Sequence, residues 1–177
     1  IATHAAFPCT MVDRIVPATT DADLADVEAR LGVHDAAPVV AEPWIQWVIE
    51  NRFVAPRPPW EEAGAEIAAD VAPFETMKLR LLNGSHSTLA YLGYLAGHAT
   101  IAQAAGDPLL GRLVARQMAE EIVPTLASPP GTDLARYCAT LLVRFRNPAL
   151  PHRTAQVAMD GSQKLPQRLL GTVRDRL

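Results

Sequence analysis

VAPFETMKLRLLNGSHSTLAYLGYLAG, residues 71–97, holds a helical period along its length. Wound at about 100° per residue, Val71, Phe74, Leu81, Leu82, Leu89 and Leu92 gather on one stripe. Such a stripe is the core-facing side of an amphipathic helix. Lys78 falls within it. An ammonium in an apolar seam loses hydration, so it pairs with an acid, snorkels to the surface, or shifts its pKa downward. A lysine tuned downward can accept and return a proton, as a general base must. On the same winding His86 lies about 80° round from Lys78 and Asn83 about 140°. Taken singly, His86 reads as a satisfied core or surface histidine, and Asn83 before Gly84 as a helix-end signal. Together with Lys78 they read as a site facing a cleft.

Outward from this helix the pattern stays helical. Periodicity and breakers place further helices near 60–70, 99–105, 107–123, 132–146, 152–159 and 165–176, with the central one at 72–95. Gly106-Asp107-Pro108, Pro129-Pro130-Gly131 and Asn147-Pro148 supply the breaks. Thr20 is a good N-cap for DADLADVEARL, with aspartate in its first turn and Gly32 as its stop. Residues 1–19 read as irregular or extended, and a short strand is expected near Val39–Ala41. The fold class is mainly α, and residues 1–177 form one compact domain.

Composition bounds the function. A net charge of −3 gives no broad electrostatic reason to bind nucleic acid or an anionic membrane. No stretch approaches the roughly 20 apolar residues of a membrane helix. The opening IATHAAFPCT lacks the basic and apolar regions of a signal peptide. Cys9 and Cys138 match no ligand or redox spacing and read as reduced, buried thiols of a cytoplasmic protein. His4, His34, His86, His98 and His152 form no paired-ligand spacing, which disfavours a metal-dependent hydrolase. Neither G-x-G-x-x-G nor G-x-x-x-x-G-K-[ST] occurs, so a nucleotide would have to be held by another domain.

A neutralisable lysine, an amide and an imidazole suit the oxidation of a secondary alcohol. The lysine takes the hydroxyl proton, the amide stabilises the developing alkoxide, and the histidine orients a neighbouring hydroxyl. The hydride acceptor is a nicotinamide bound elsewhere. A helical interaction module is the competing reading, since amphipathic helices cut by proline and glycine look similar. That module would tolerate alanine at Lys78.

MKLRLLNGSH, with K-x4-N-x2-H at Lys78, Asn83 and His86, resembles the signature of the long-chain mannitol dehydrogenase family. FPCTMVDRIVP at residues 7–17, AEPWIQWVIENRF, VRFRNPALPHRTAQ and MDGSQKLPQR resemble family blocks in the same order. The resemblance implies the multi-helical C-terminal substrate domain of a two-domain, 6-phosphogluconate-dehydrogenase-like oxidoreductase. It implies Lys78 as general acid/base, Asn83 as oxyanion donor and His86 as a substrate contact. Asp13 in MVDRI resembles an acidic residue lining the pocket, and Arg153 and Lys164 resemble basic substrate contacts. Arg144 matches a further basic position, while Pro151 stands where the family leads one to expect a basic residue. NAD or NADP is then bound mainly by an N-terminal dinucleotide-binding domain outside this chain, which alone is expected to be inactive. The substrate implied is a linear polyol or hexonate, of mannonate/fructuronate or mannitol/fructose type, handled without a metal.

Plainer readings stand beside these. Asp13 next to Arg14 makes a local ion pair of little worth if exposed. Arg144 near a helix end favours the helix dipole without any ligand. DGSQK reads equally as a helix stop and turn.

Overall fold

The computed structural model describes residues 5–177; the irregular start expected for residues 1–4, with His4, lies outside the described residues. Three strands and seven helices follow. Strand β1 (Thr10–Asp13) pairs antiparallel with β2 (Gln46–Glu50), and β2 pairs in parallel with β3 (Ala65–Ala68). Helix α1 (Asp21–Leu31) lies between β1 and β2 in sequence. Thr20 caps it through a capping box with Asp23, and Gly32 ends it at φ 70°. Its residues remain largely exposed and none is buried.

Two sequence expectations are corrected here. The strand falls at Gln46–Glu50 rather than Val39–Ala41, because QWVIE supplies the aromatic and β-branched residues that a paired strand packs. The helix expected at 60–70 is a single 3-10 turn, Trp60–Ala63, ended by Gly64 at φ 89°, and Ala65–Ala68 then runs as strand β3. A second strand edge offered ladder bonds that the local sequence could not reveal.

Helix α2 covers 72–95 in three unbroken parts: α-helix Ala72–Met77, a π-helical segment Lys78–Gly84, and α-helix Ser85–Leu95. Helix α3 (Ile101–Gly106) and α4 (Pro108–Arg116) follow, the latter running on as a π segment, Gln117–Ile122. Helix α5 (Leu134–Phe145) and the short α6 (Thr154–Ala158) come next. Helix α7 covers 161–176, with a π segment at Pro166–Leu170. Pro166 has no N–H to give to the ladder, a known cause of such interruptions. Asp160 precedes α7 at φ 58°, the left-handed turn that folds α7 back after α6.

The core joins α2 to α5. Met77, Leu81 and Leu89 of α2, Val114 and Met118 of the α4 arm, and Leu141 of α5 are sealed in one cluster. A smaller cluster seats the sheet on α2 through Met11, Val48, Val71 and Phe74. Ile15, just past β1, belongs to the larger cluster, so strands and helices share their packing. Cys9 is exposed and Cys138 is half-buried, correcting the expectation of two buried thiols; both are free. Cys9 precedes the sheet edge, whereas burial raises the Cys138 thiol to about 11. No helix is long and apolar enough to cross a membrane among the described residues.

Candidate active site

The π segment decides how Lys78, Asn83 and His86 stand. An α-helix closes its bonds i→i+4, whereas a π turn closes i→i+5 and carries residue i+5 round toward the position above residue i. Lys78 and Asn83 are five apart. The π turn therefore draws them toward one face, where a regular helix would leave them about 140° apart. It also turns Lys78 to the margin of the buried stripe. Phe74, Met77, Leu81 and Ser85 are buried, while Lys78 is half-buried, not sealed among them. Its Nζ donates to the carbonyl oxygen of Val12 on β1. Asn83 is half-buried too, and its amide has no hydrogen-bond partner among the described residues.

His86 lies deeper, 8% exposed, with its ring stacked on Phe145 at 5.5 Å and edge-on to His152 at 4.9 Å. Burial first, then the positive fields of His152, Arg168, Arg144 and Lys164, push its pKa down to about 3. His86 is therefore a neutral imidazole at ordinary pH, able to donate one hydrogen bond and accept one. His152 is likewise held below its ordinary value by burial and by Lys164, and its Nδ1 is buried without a partner. The two histidines open onto a cleft of about 380 Å³, lined also by Gln156, Asp160, Lys164 and Arg168.

The far wall of this cleft is α7, and a glycine sets its distance. A Cβ on Gly84 would stand 2.7 Å from the carbonyl oxygen of Arg168, so only glycine lets α7 lie this close to α2. The NGSH run thus carries a packing requirement between two polar residues. Across the contact Arg168 Nη1 reaches Ser87 Oγ at 3.1 Å. Lys164, one turn earlier, forms its ion pair among the described residues with Asp160, at 3.7 Å.

Asp13 does not face this cleft. It is 0% exposed, and Arg144 holds both its oxygens at 2.7 and 2.9 Å. Arg144 also binds Glu42 at 2.6 and 3.0 Å, and Tyr137 donates to Asp13 at 2.9 Å. The local pair with Arg14 is corrected: Arg14 turns instead to the Glu42 carbonyl, 2.9 Å away. Arg144 does stand in the last turn of α5, as expected, but it is buried and paired with both acids. Burial opposes its charge, but the hydrogen bonds and charges of Asp13 and Glu42 outweigh that and raise its pKa. Burial and then Asp13 raise the Tyr137 pKa as well.

The structure thus brings His86 and Lys164 to one cleft and sets Lys78 and Asn83 on the helix that walls it. Asp13 is placed beneath, in an ion cluster. Arg153 is exposed at the start of α6, where its backbone bridges Thr100, and it does not line the cleft. Sequence reasoning missed His152 and Arg168. The available signal was spacing: Arg168 follows Lys164 by four residues, one helical turn along the same face.

Solved oxidoreductases carry this same helical body. Pseudomonas fluorescens mannitol 2-dehydrogenase, in ternary complex with NAD and D-mannitol, matches 98% of the chain with TM-score 0.89 and 42% identity. D-sorbitol dehydrogenase in substrate-free form matches with TM-score 0.90 and 35% identity. The chain belongs to the mannitol dehydrogenase family: residues 70–177 match the mannitol dehydrogenase C-terminal domain, and residues 1–62 the mannitol dehydrogenase Rossmann domain. D-mannonate oxidoreductase of Escherichia coli is 57% identical over 168 residues, which is 95% of this chain and 35% of that protein. Mannitol 2-dehydrogenase of Pyrenophora tritici-repentis is 43% identical over the whole chain and 32% of its own length. The chain spans about a third of the length of these relatives. The two family models divide it between residues 62 and 70, yet Asp13 and Glu42 on one side are bound to Arg144 on the other.

Proposed function

We propose that this chain supplies the proton-handling and substrate-holding part of a nicotinamide-dependent oxidoreductase acting on a secondary alcohol of a linear polyol or hexonate. The observation that carries the reading is the π turn that draws Lys78 and Asn83 toward one face, with His86 next along the same helix. The named relatives act on mannonate and mannitol, and one is solved with NAD, which supports the class of reaction.

Within the described residues before position 63 the only glycine is Gly32, a helix stop, so no backbone turn there cradles a pyrophosphate. What these residues fit is the reacting end of the cofactor, with the dinucleotide held mainly by a separate domain. When bound, the nicotinamide supplies the hydride acceptor. Lys78 takes the proton of the alcohol; the Asn83 amide donates to the oxygen as charge develops on it. His86, neutral, gives and accepts one hydrogen bond and fixes a neighbouring hydroxyl. Lysine and amide together do the polarising, so we read the reaction as metal-independent.

In the protein carrying this chain and its dinucleotide-binding domain, Lys78→Ala should lower turnover at least about a hundredfold. Lys78→Gln should fall by a similar factor, since the amide cannot exchange the proton. A mutant with wild-type turnover would mean that another group carries the proton.

A further inference from the structure

Of the guanidinium groups withdrawn from solvent against the central body, Arg80 and Arg144 meet carboxylates and, among the described residues, Arg168 does not. Arg144 is matched by two carboxylates. Arg168 is half-buried and, among the described residues, lies in no ion pair; its one side-chain hydrogen bond is to the neutral Ser87 hydroxyl, 3.1 Å away. Burial holds its pKa below the ordinary guanidinium value, with only the weaker influence of Tyr91 opposing. Withdrawing a cation from water without a counter-charge is costly unless something else binds it.

The cleft shows where that counter-charge would come from. Arg168 lines it beside Lys164, His86 and His152. An imidazole carries no negative charge in either protonation state, so neither histidine offsets these cations, and Lys164 helps to lower the pKa of both. The one carboxylate in the lining, Asp160, is exposed and stands 3.7 Å from Lys164. The cleft therefore carries an excess of positive charge. Gly84 fixes the backbone of Arg168 against α2, so the guanidinium is presented by a packed helix and not by a loose loop. With Nη1 on Ser87, Arg168 keeps further N–H donors of its planar fork, the geometry that meets a carboxylate.

We propose that Arg168, assisted by Lys164, receives the carboxylate of a sugar-acid substrate, so that this cleft selects a hexonate over the neutral hexitol. The proposal rests on the reading of the cleft as the substrate site. A neutral polyol would leave Arg168 without a counter-charge, whereas a hexonate neutralises it at the moment of binding.

The test compares kcat/KM for D-mannonate and for D-mannitol in the protein carrying its dinucleotide-binding domain, for wild type, Arg168→Gln and Arg168→Lys. Wild type should prefer the hexonate. Arg168→Gln should lower kcat/KM for the hexonate roughly ten- to hundredfold, mainly through KM, the scale of a charge-assisted hydrogen bond. It should change the hexitol value less than about threefold, and Arg168→Lys should restore part of the loss. An equal fall for both substrates would make Arg168 a scaffold residue and overturn the assignment, as would an unchanged ratio. Preference of the wild type for a hexitol phosphate over the hexonate would overturn it in favour of a phosphate site. Lys78→Ala, assayed alongside, separates the two levels. If it keeps full turnover the site reading itself falls; if it loses turnover while Arg168→Gln keeps the ratio, only the carboxylate assignment falls.

Discussion

His86 is held neutral by its surroundings, and that has a consequence for stability. Its folded pKa of about 3 lies below the ordinary 6.5. The unfolded chain therefore takes up a proton that the folded one refuses, so stability is lost as pH is lowered wherever the two states differ. The contribution is intact above about 6.5 and drains away as pH falls toward about 3. Going from pH 7 to pH 5 should cost about 2 kcal/mol through this group. His152, shifted in the same direction, adds to the trend. Urea denaturation of wild type and His86→Gln at the two pH values isolates the contribution: the variant should lose less on acidification. Equal losses would show that His86 is not the group refusing the proton. The sequence showed a histidine near a lysine on one helix, but not this neutrality. The Phe145 and His152 rings that enclose His86 come from segments roughly sixty residues away, and no local pattern announces them.

At the scale of elements, the close approach of α7 to α2 is set at Gly84. Adding a methyl group there drives a Cβ to 2.7 Å from the Arg168 carbonyl oxygen, so one helix must shift. Gly84→Ala should destabilise by about 1–3 kcal/mol, the usual range for overpacking. Because Lys164 and Arg168 ride on the displaced helix, substrate KM should rise with it. Gly106 is the control, since nothing lies within 4 Å of a Cβ there and it closes a helix. Gly106→Ala should be neutral or stabilising by about 0.4–1 kcal/mol. Thermal melts of both variants decide it; a silent Gly84→Ala would mean the two helices are not locked in register. Much of this level was legible. The 72–95 helix, the Thr20 cap and the proline and glycine breaks follow from period and local chemistry. The π turn did not, because MKLRLLNG has an ordinary helical composition. Nor did β3, because AEIA makes a strand only where β2 offers an edge.

Across the whole molecule, one ion cluster spans the junction at which the family models divide the chain. Asp13 on β1 and Glu42 in the loop before β2 both close on Arg144 of α5, at sequence separations of 131 and 102. Glu42 also accepts from the Ile15 backbone at 2.6 Å, and Trp44 lies 5.2 Å from the guanidinium. The cluster therefore fixes β1, whose Val12 carbonyl receives Lys78, onto the helical body. Removing the guanidinium alone leaves two carboxylates facing one another out of water, so Arg144→Met should cost about 3–5 kcal/mol. Neutralising the acids as well removes that repulsion. The triple variant Arg144→Met, Asp13→Asn, Glu42→Gln should recover much of the loss, since a buried ion pair gains little over a neutral cluster of similar shape. Wild type should unfold in a single step by circular dichroism and by tryptophan fluorescence alike, because Trp44 and Trp47 report the strand side and ellipticity reports the helices. Arg144→Met should separate the two curves, with fluorescence changing at the lower urea concentration. A loss below about 1 kcal/mol, with both probes still coincident, would mean that the shared apolar packing at Ile15 and Phe74 joins strands to helices without help from the ions.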